Sequence, residues 1–236
     1  ASNEEDEEGE EGEPVDDDKR LLAREEEFSR VLVVKGRPAS TLSPIIRAAW
    51  DSGNLRTMTK RPLTSTGAHI SILGHITVEE LQRDLTYTDR ANGFANRFLF
   101  AAVDRSKDLP EGGDLDDAHV AELGRTVGEA LARARAIGRV QRSAEAKERW
   151  AVLYGELVND NTGGLVGAIT DRAEAQVLRL SLIFALLDGS EVIELAHLAA
   201  AEAVWSYCDR SVRFIFGDPL GNDCLLYTSP SPRDRQ

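Results

Sequence analysis

Two apolar runs separated by a capped helix constrain the fold of this chain more than any other feature. Residues 70–73 and 98–103 are the runs, and between them Thr77 and Glu80 match a capping box, which predicts a helix to about Leu85. The second run is continuously apolar, which is typical of a strand covered on both faces. The order strand, helix, strand predicts a βαβ unit in a parallel sheet.

The pattern upstream of these runs is also α/β. Residues 20–24 read as a short strand or as the lead-in to a helix, and an apolar helical face follows over residues 28–32. A second helix is predicted to begin with Ser43 as N-cap and Pro44 at the first helical position.

Helical spacing of apolar residues takes over after Gly112, where we place the domain boundary. The sequence therefore predicts a partial α/β parallel sheet over residues 19–112 and an all-helical domain over residues 113–221. Within the helical part, residues 177–187 are apolar nearly all round and are expected to form its buried centre. The residues with helical spacing are Val120, Leu123, Val127, Leu131 and Ala134, then Trp150, Leu153, Tyr154 and Leu157, and finally Ala201, Trp205, Cys208, Val212 and Ile215.

Charge is concentrated at one end of the chain. The net charge is −13, but eleven of the first eighteen residues are Asp or Glu, so the other residues together carry −2. Residues 1–18 are expected to be a solvated, disordered acidic segment. Because the acidity is local, it does not exclude a nucleic-acid partner. Residues 222–236 share no periodicity with the rest and are interpreted as a non-native tail, with Cys224 close to its start.

Several classes of protein are disfavoured by composition. Two cysteines and the lack of a signal-like N-terminus indicate a cytoplasmic protein rather than a secreted one. No apolar run reaches the roughly 18 residues of a membrane span. The four histidines have no metal-ligand spacing with each other or with the cysteines, which argues against a zinc site.

Polar side chains follow two of the candidate strands. Glu25, Glu26 and Glu27 come after the first, and His75 comes after the second. Ligands of open parallel sheets bind beyond the carboxyl ends of strands, where a carboxylate can position magnesium and a histidine can contact a terminal phosphate. The alternatives are that the glutamates complement a helix dipole and that the histidine only closes a strand.

Two sets of cations are further candidates. Arg97, directly before the last apolar run, is placed to act as an arginine finger on a neighbouring subunit's phosphates, or else it pairs with a local carboxylate while Asn92 makes a turn. The second set lies on the polar loop over residues 53–67, where it could contact a nucleic-acid backbone or be ordinary surface charge. It consists of Arg56, Lys60 and Arg61.

A phosphate loop of the form G-x-x-x-x-G-K-[ST] is absent from the sequence. The chain has five lysines, and none of them is followed by serine or threonine.

Several segments, in their order and spacing, resemble a domain-of-unknown-function family of RecA-like P-loop ATPases. Members occur in actinobacteria, phages and plasmids, often downstream of a primase-polymerase module. The resemblance covers about residues 19–223 and is specific only in combination. The segments are residues 20–28 (RLLAREEEF), 41–43 (TLS), 47–51 (RAAWD), 67–77 (GAHISILGHIT), 92–99 (NGFANRFL), 179–180, 185–188, 197–198, 205–208 and 216–218.

The resemblance implies a primase-helicase or replication-initiation motor that uses ATP and Mg²⁺ on DNA. It further implies a homo-oligomeric ring, a partner primase-polymerase module, a helical lid, a phosphate loop upstream of Ala1 and a helix-turn-helix-like tail beyond Gly221. Arg24 departs from the family, which has an apolar residue there. The implied roles are a Walker-B-type carboxylate at Glu25 or Glu27, a magnesium ligand at Glu25, a phosphate sensor at His75, an arginine finger at Arg97, and nucleotide contacts at Asn92 and Asn96.

Two other functions are compatible with the residues. One is a non-enzymatic helical docking or DNA-binding module, in which the α/β part has lost catalysis. The other is a hydrolase that uses the glutamates and His75 on a different substrate, without ATP or a partner subunit.

Overall fold

The structure, a computed structural model, describes residues 18–86, 88–89, 92–113, 116–159 and 162–217. The predicted acidic segment up to residue 17 and the predicted non-native tail, with Cys224, lie outside the described residues. The chain forms two compact units, of which the first ends at Thr77 and the second begins at Val78. This boundary lies upstream of the one predicted near Gly112. The intervening segment belongs with the helices because it bonds to them, for example through the Gln82 side-chain amide, which donates to the carbonyl of Ile215.

A pair of parallel strands organises the first unit. Strand β1 is Arg20–Glu25 and strand β4 is His69–Gly74, paired in register from Arg20 with His69 to Glu25 with Gly74. Helices α1 (Phe28–Lys35) and α2 (Leu42–Asp51) lie between them in sequence. Of the two alternatives for residues 20–24, the strand is the one observed, and the strand predicted over residues 70–73 is confirmed. The two strands pair in parallel.

Helix α2 begins slightly earlier than predicted. Its N-cap is Thr41 rather than Ser43, and Pro44 occupies the first turn instead of the first position. The Oγ of Ser40 accepts a hydrogen bond from the backbone N–H of Leu42 at 3.4 Å. A serine therefore does bind a backbone N–H at this helix end, but it lies one residue before the N-cap, Thr41.

The polar loop of the first unit contains a small antiparallel hairpin. Strand β2 (Leu55–Arg56) pairs with strand β3 (Thr64–Ser65). Gly53 has a φ of 68°, and a Cβ there would lie 2.2 Å from the carbonyl oxygen of Ala68, so only glycine fits at the base of the loop.

The second unit begins with helix α3 (Val78–Asp84), which confirms the helix predicted after Thr77. A 3₁₀ turn follows at Ala95–Arg97. The strand predicted over residues 98–103 is wrong, and with it the βαβ unit. This segment has no strand partner among the described residues, because it is held by side chains instead. Ala102 donates its N–H to the Oγ of Ser211 at 3.1 Å and accepts from the hydroxyl of Tyr207.

Among the described residues after residue 113, the second unit has five further helices, with a short parallel strand pair, β5 (Gln141–Arg142) and β6 (Val192–Ile193), between them. One buried hydrophobic cluster of this unit consists of Leu153, Val177, Leu198 and Ala201, with Trp150 and Trp205 partly buried against it. The helices are α4 (Asp117–Ala136), α5 (Ala144–Val158), α6 (Gly164–Thr170), α7 (Ala173–Asp188) and α8 (Leu195–Phe216).

Helix α7 is buried on one face only, so the expectation that residues 177–187 form the buried centre holds for that face alone. Val177, Ser181 and Ala185 are fully buried and contact the other helices. The opposite face exposes large apolar side chains. These are Leu178, Leu182, Ile183 and Leu187, with exposed fractions of 37–50%.

Candidate functional site

The carboxyl ends of β1 and β4 bring Glu25 and His75 together. Glu25 pairs with Gly74 as the last residue of each strand, and the backbone N–H of His75 donates to the carbonyl of Glu25 at 2.9 Å. The chain then turns, and the N–H of Phe28 donates to the carbonyl of His75 at 2.8 Å. Two successive backbone hydrogen bonds therefore fix the position of the histidine beside the glutamate.

A close approach between Gly74 and Phe28 creates this geometry. A Cβ built on Gly74 would lie 2.6 Å from the Cδ2 of Phe28, a distance that real Cβ atoms do not show. Phe28 is 7% exposed and is the first residue of α1. Glycine before His75 thus allows α1 to begin against the end of β4, which sets the edge at which the two candidate side chains lie.

The three glutamates after β1 occupy different environments. Glu25 is partly buried, whereas Glu26 and Glu27 are exposed. Glu26 forms a salt bridge of 2.8 Å with Arg24, and both side chains are open to solvent. Glu27 is the N-cap of α1 but makes no side-chain cap hydrogen bond, and no acidic residue lies in the first turn. The alternative in which the glutamates sit in that first turn therefore does not describe this helix, although Glu27 does adjoin its N-terminus.

The loop before Phe98 lies in the second unit and is organised around its own side chains. The Oδ1 of Asn92 accepts from the N–H of Phe94 at 2.9 Å, and Gly93 has a φ of 78°. The Nη1 of Arg97 donates to the carbonyl of Gly93 and lies 3.4 Å from the Oδ1 of Asn96. The alternative interpretation of Asn92 and Gly93 as turn residues is thus seen directly. The same turn positions the guanidinium of Arg97.

Both asparagines predicted to contact nucleotide have hydrogen-bond partners in the second unit. Asn96 is 6% exposed, and its backbone carbonyl accepts from the side-chain amide of Gln176 at 3.4 Å. Asn92 uses its side-chain oxygen on the backbone of Phe94. These contacts are those of residues that shape a loop.

The cations of the polar loop lie together on the hairpin, which we call the basic hairpin (residues 55–65, with Arg56, Lys60 and Arg61). All three side chains are exposed, and none forms a salt bridge with a described residue. The seven residues between β2 and β3 are ordered by hydrogen bonds across the loop. One runs from the N–H of Thr57 to the carbonyl of Leu63 at 2.9 Å, and another from the N–H of Leu63 to the Oγ1 of Thr57 at 2.8 Å.

A cleft of about 740 Å³ in the second unit was not anticipated from the sequence. It lies between helices α5, α6, α7 and α8, and five carboxylates line it. Arg149 bonds to two of them, Glu202 at 2.7 Å and Glu156 at 3.4 Å, and these hydrogen bonds raise the pKa of the guanidinium above its usual value. Negative charge disfavours phosphate, so the cleft is not a candidate nucleotide site. The carboxylates are Glu156, Asp171, Glu174, Glu202 and Asp209.

A pre-assembled metal site is not found among the described residues, where no group of three or more His, Cys, Asp or Glu side chains could hold an ion. In nucleotide sites Mg²⁺ is usually held by one or two carboxylates together with phosphate oxygens. The partly buried carboxylate of Glu25 could supply such a ligand once a nucleotide is bound. Glu27, which is exposed and lies past the strand, is less well placed.

Comparison with known proteins gives no relative for this chain. No family model matches it, and no curated protein or solved structure is significantly similar to it. Within the described part of the chain, no helix combines the length and the apolarity needed to cross a membrane.

Proposed function

We propose that this chain contributes the second half of a RecA-like P-loop ATPase core and its helical lid. The motor would be of the primase-helicase or replication-initiation type, located in the cytoplasm and coupling ATP hydrolysis to movement on DNA or its remodelling. The observation that carries the proposal is the backbone hydrogen bond from His75 to Glu25, which places both residues at the carboxyl ends of adjacent parallel strands. This is the edge at which open parallel sheets bind their ligands.

Apolar side chains are exposed on both faces of the pair β1 and β4, which supports the view that these two strands belong to a larger sheet. Leu21 and Leu22 are neighbours in β1, so their side chains point to opposite faces, and they are 56% and 66% exposed. Leu73 of β4 is 50% exposed. Parallel sheets normally bury both faces. We infer that further strands and helices cover these leucines in the assembled ATPase, and that one of those segments carries the phosphate loop that this sequence lacks.

Each residue at the edge has a defined task in this proposal. Glu25, partly buried at the end of β1, would hold Mg²⁺ through its carboxylate or orient the attacking water. His75, with its backbone fixed and its ring exposed, would donate a hydrogen bond to the terminal phosphate. The magnesium ion would neutralise charge on the phosphate oxygens as the bond to the leaving group breaks.

The loop around Arg97 supports a role for this residue on a neighbouring subunit. Its guanidinium is positioned by the turn at Gly93, so little side-chain entropy remains to be lost when it meets a phosphate. A planar, permanently charged fork suits the charge that develops in phosphoryl transfer. An arginine that acts in trans requires nucleotide between subunits, hence the proposed homo-oligomeric ring.

The basic hairpin supports DNA as the partner, since phosphate contacts need only exposed and positioned cations. The partnership with a primase-polymerase module, in the same or a neighbouring chain, rests on the family resemblance alone.

The test compares two neighbouring glutamates in the product of the complete gene. Glu25→Gln removes the charge at the strand end, whereas Glu26→Gln removes the same charge from an exposed side chain that is 75% accessible. We expect Glu25→Gln to lower ATP turnover by about 100-fold or more, as for other groups that act on the reacting phosphate, and Glu26→Gln to change it less than twofold. Equal effects of the two substitutions would contradict the assignment of Glu25.

A non-enzymatic docking module is the second candidate, and the exposed face of α7 favours it. The four apolar side chains on this face are typical of a surface that binds another protein. This candidate predicts a degenerate phosphate loop in the complete gene and no ATP turnover.

A further inference from the structure

Residues 1–17 and residues 18–77 of the sequence carry net charges of opposite sign. Residues 1–17 contain ten Asp or Glu and no Lys or Arg, which gives a formal charge of −10. Residues 18–77 contain ten Lys or Arg against five Asp or Glu, which gives +5. A strongly acidic segment is therefore attached covalently to a body of opposite charge.

The basic hairpin is the part of that body with the most accessible positive charge. Between Asp51 and Glu79 the sequence has no acidic residue at all. Arg56, Lys60 and Arg61 are exposed in this stretch, and none of them is neutralised by a described carboxylate. The other cations at the start of the body are already compensated in part, since Arg20 bonds to Asp18 at 2.5 Å and Arg24 bonds to Glu26 at 2.8 Å.

The acidic segment can reach this surface. It joins the body at Lys19, whose carbonyl accepts from the N–H of His69 at 2.8 Å. His69 follows the end of the hairpin, Ser65, by only four residues, a span of at most about 14 Å. Seventeen residues can extend to about 60 Å. Tethering over so short a distance gives an effective local concentration on the order of millimolar.

We propose that residues 1–17 dock on the basic hairpin of their own chain. Carboxylates along the segment would lie against Arg56, Lys60 and Arg61, as the phosphates of a nucleic-acid strand would. Docking of this kind has no need of a defined conformation, because the attraction depends on charge density and falls with salt. A consequence, which rests in addition on the proposed function, is that the segment competes with DNA for the hairpin.

Carbodiimide cross-linking of the full chain tests the docking directly. The reagent joins carboxylates to lysines in contact, and Lys60 is the lysine of the hairpin, while the exposed Lys107 and Lys147 of the second unit serve as internal references. We expect mass spectrometry to find the segment joined to Lys60 several-fold more than to either reference at about 0.05 M salt. The preference should disappear near 1 M salt, where the screening length is about 3 Å.

Two variants and one labelling experiment sharpen the result. Arg56→Gln with Arg61→Gln should lower the yield at Lys60, whereas Arg83→Gln, an exposed arginine of the second unit, should not. Cross-linking a mixture of ¹⁵N-labelled and unlabelled chains shows whether the joined peptides come from one molecule. Equal yields at the three lysines, insensitivity to salt, or joined peptides only between molecules would each overturn the proposal.

DNA binding separates this inference from the proposed function. In a variant with the ten acidic residues of the segment changed to Asn or Gln, we expect the affinity for single-stranded DNA to rise about tenfold. That gain corresponds to a hairpin covered nine-tenths of the time in the native chain. Preferred cross-linking to Lys60 without DNA binding by either form would support the docking and contradict the DNA role. Equal DNA binding by both forms, with no preference for Lys60, would overturn the docking and leave the DNA role standing.

Discussion

At the residue scale, the geometry of the candidate site depends on Gly74, a residue without a functional side chain. Gly74→Ala would place a methyl group 2.6 Å from the ring of Phe28, so the start of α1 must move away from the end of β4. We expect a loss of about 1–3 kcal/mol in the stability of the first unit, as for other overpacked sites. Hydrogen exchange of the β1 and β4 amides measures it.

Gly36→Ala is the matched control in the same unit. Its Cβ would meet the carbonyl of Leu32 at 3.5 Å, which is ordinary contact. If Gly36→Ala lowered protection as much as Gly74→Ala does, the close approach to Phe28 would not explain the geometry of the edge.

The need for glycine at this position could not be read from the sequence. Gly74 ends an apolar run, and such glycines often mark only the end of a strand. Its contact is with Phe28, which is far away in sequence and becomes a neighbour only when β1 and β4 pair. The placement of Glu25 and His75 was predictable, by contrast, because it follows from strand ends and parallel pairing alone.

At the element scale, the same kind of pattern led to correct and incorrect predictions. Residues 70–73 and 98–103 are both apolar runs, but only the first is a strand. The second lies along α8, with Phe100 edge-on to Phe216 at 5.9 Å between ring centroids and Ala102 bonded to Ser211. A side chain more than a hundred residues away thus replaces the neighbouring strand, and periodicity carries no information about it.

Side chains cap the starts of two helices in the second unit, although neither cap was among the predictions. The Oγ of Ser143 accepts from the N–H of Ala146 at 3.2 Å, which is ordinary N-cap chemistry for a serine. The start of α8 uses a less familiar pair, in which the Nδ1 of His197 accepts from the N–H of Glu194 at 3.0 Å. Which face of α7 is buried could not be predicted, because its own apolar residues lie on nearly every side of the helix. The buried face depends on where the neighbouring helices pack.

The two faces of the helical unit predict different costs for the same substitution. Leu198 is fully buried in the core and Leu187 of α7 is 48% exposed. We expect Leu198→Ala to destabilise the second unit by about 2–5 kcal/mol and Leu187→Ala by less than half as much. Urea unfolding followed by the fluorescence of Trp150 and Trp205 measures both. Similar losses would show that the exposed face of α7 is packed in solution.

The basic hairpin predicts a change in the salt dependence of DNA binding. In the chain with its acidic segment neutralised, Lys60→Ala with Arg61→Ala should weaken binding to single-stranded DNA. It should also make the slope of log affinity against log salt shallower by about 1.4, because each phosphate contact on a single strand contributes roughly 0.7. Arg105→Ala with Lys107→Ala removes the same charges from the second unit and should leave the slope unchanged. An unchanged slope in the hairpin variant would show that Lys60 and Arg61 do not contact DNA phosphates and are ordinary surface residues.

At the scale of the whole molecule, Arg97 distinguishes a ring from a single-subunit enzyme. In the product of the complete gene, Arg97→Ala should reduce ATP turnover by about 1,000-fold or more while nucleotide affinity changes little, as for an arginine finger that acts on a neighbour's phosphate. Turnover assays and nucleotide titrations on the same preparation measure the two quantities. If affinity falls as far as turnover, the arginine does not act between subunits.

ATP hydrolysis by the product of the complete gene tests the central claim most directly. Our account predicts a phosphate-loop motif after a strand upstream of Ala1, Mg²⁺-dependent turnover, and stimulation by single-stranded DNA. A complete gene without that motif, whose purified product hydrolyses no ATP with or without DNA, would contradict the account.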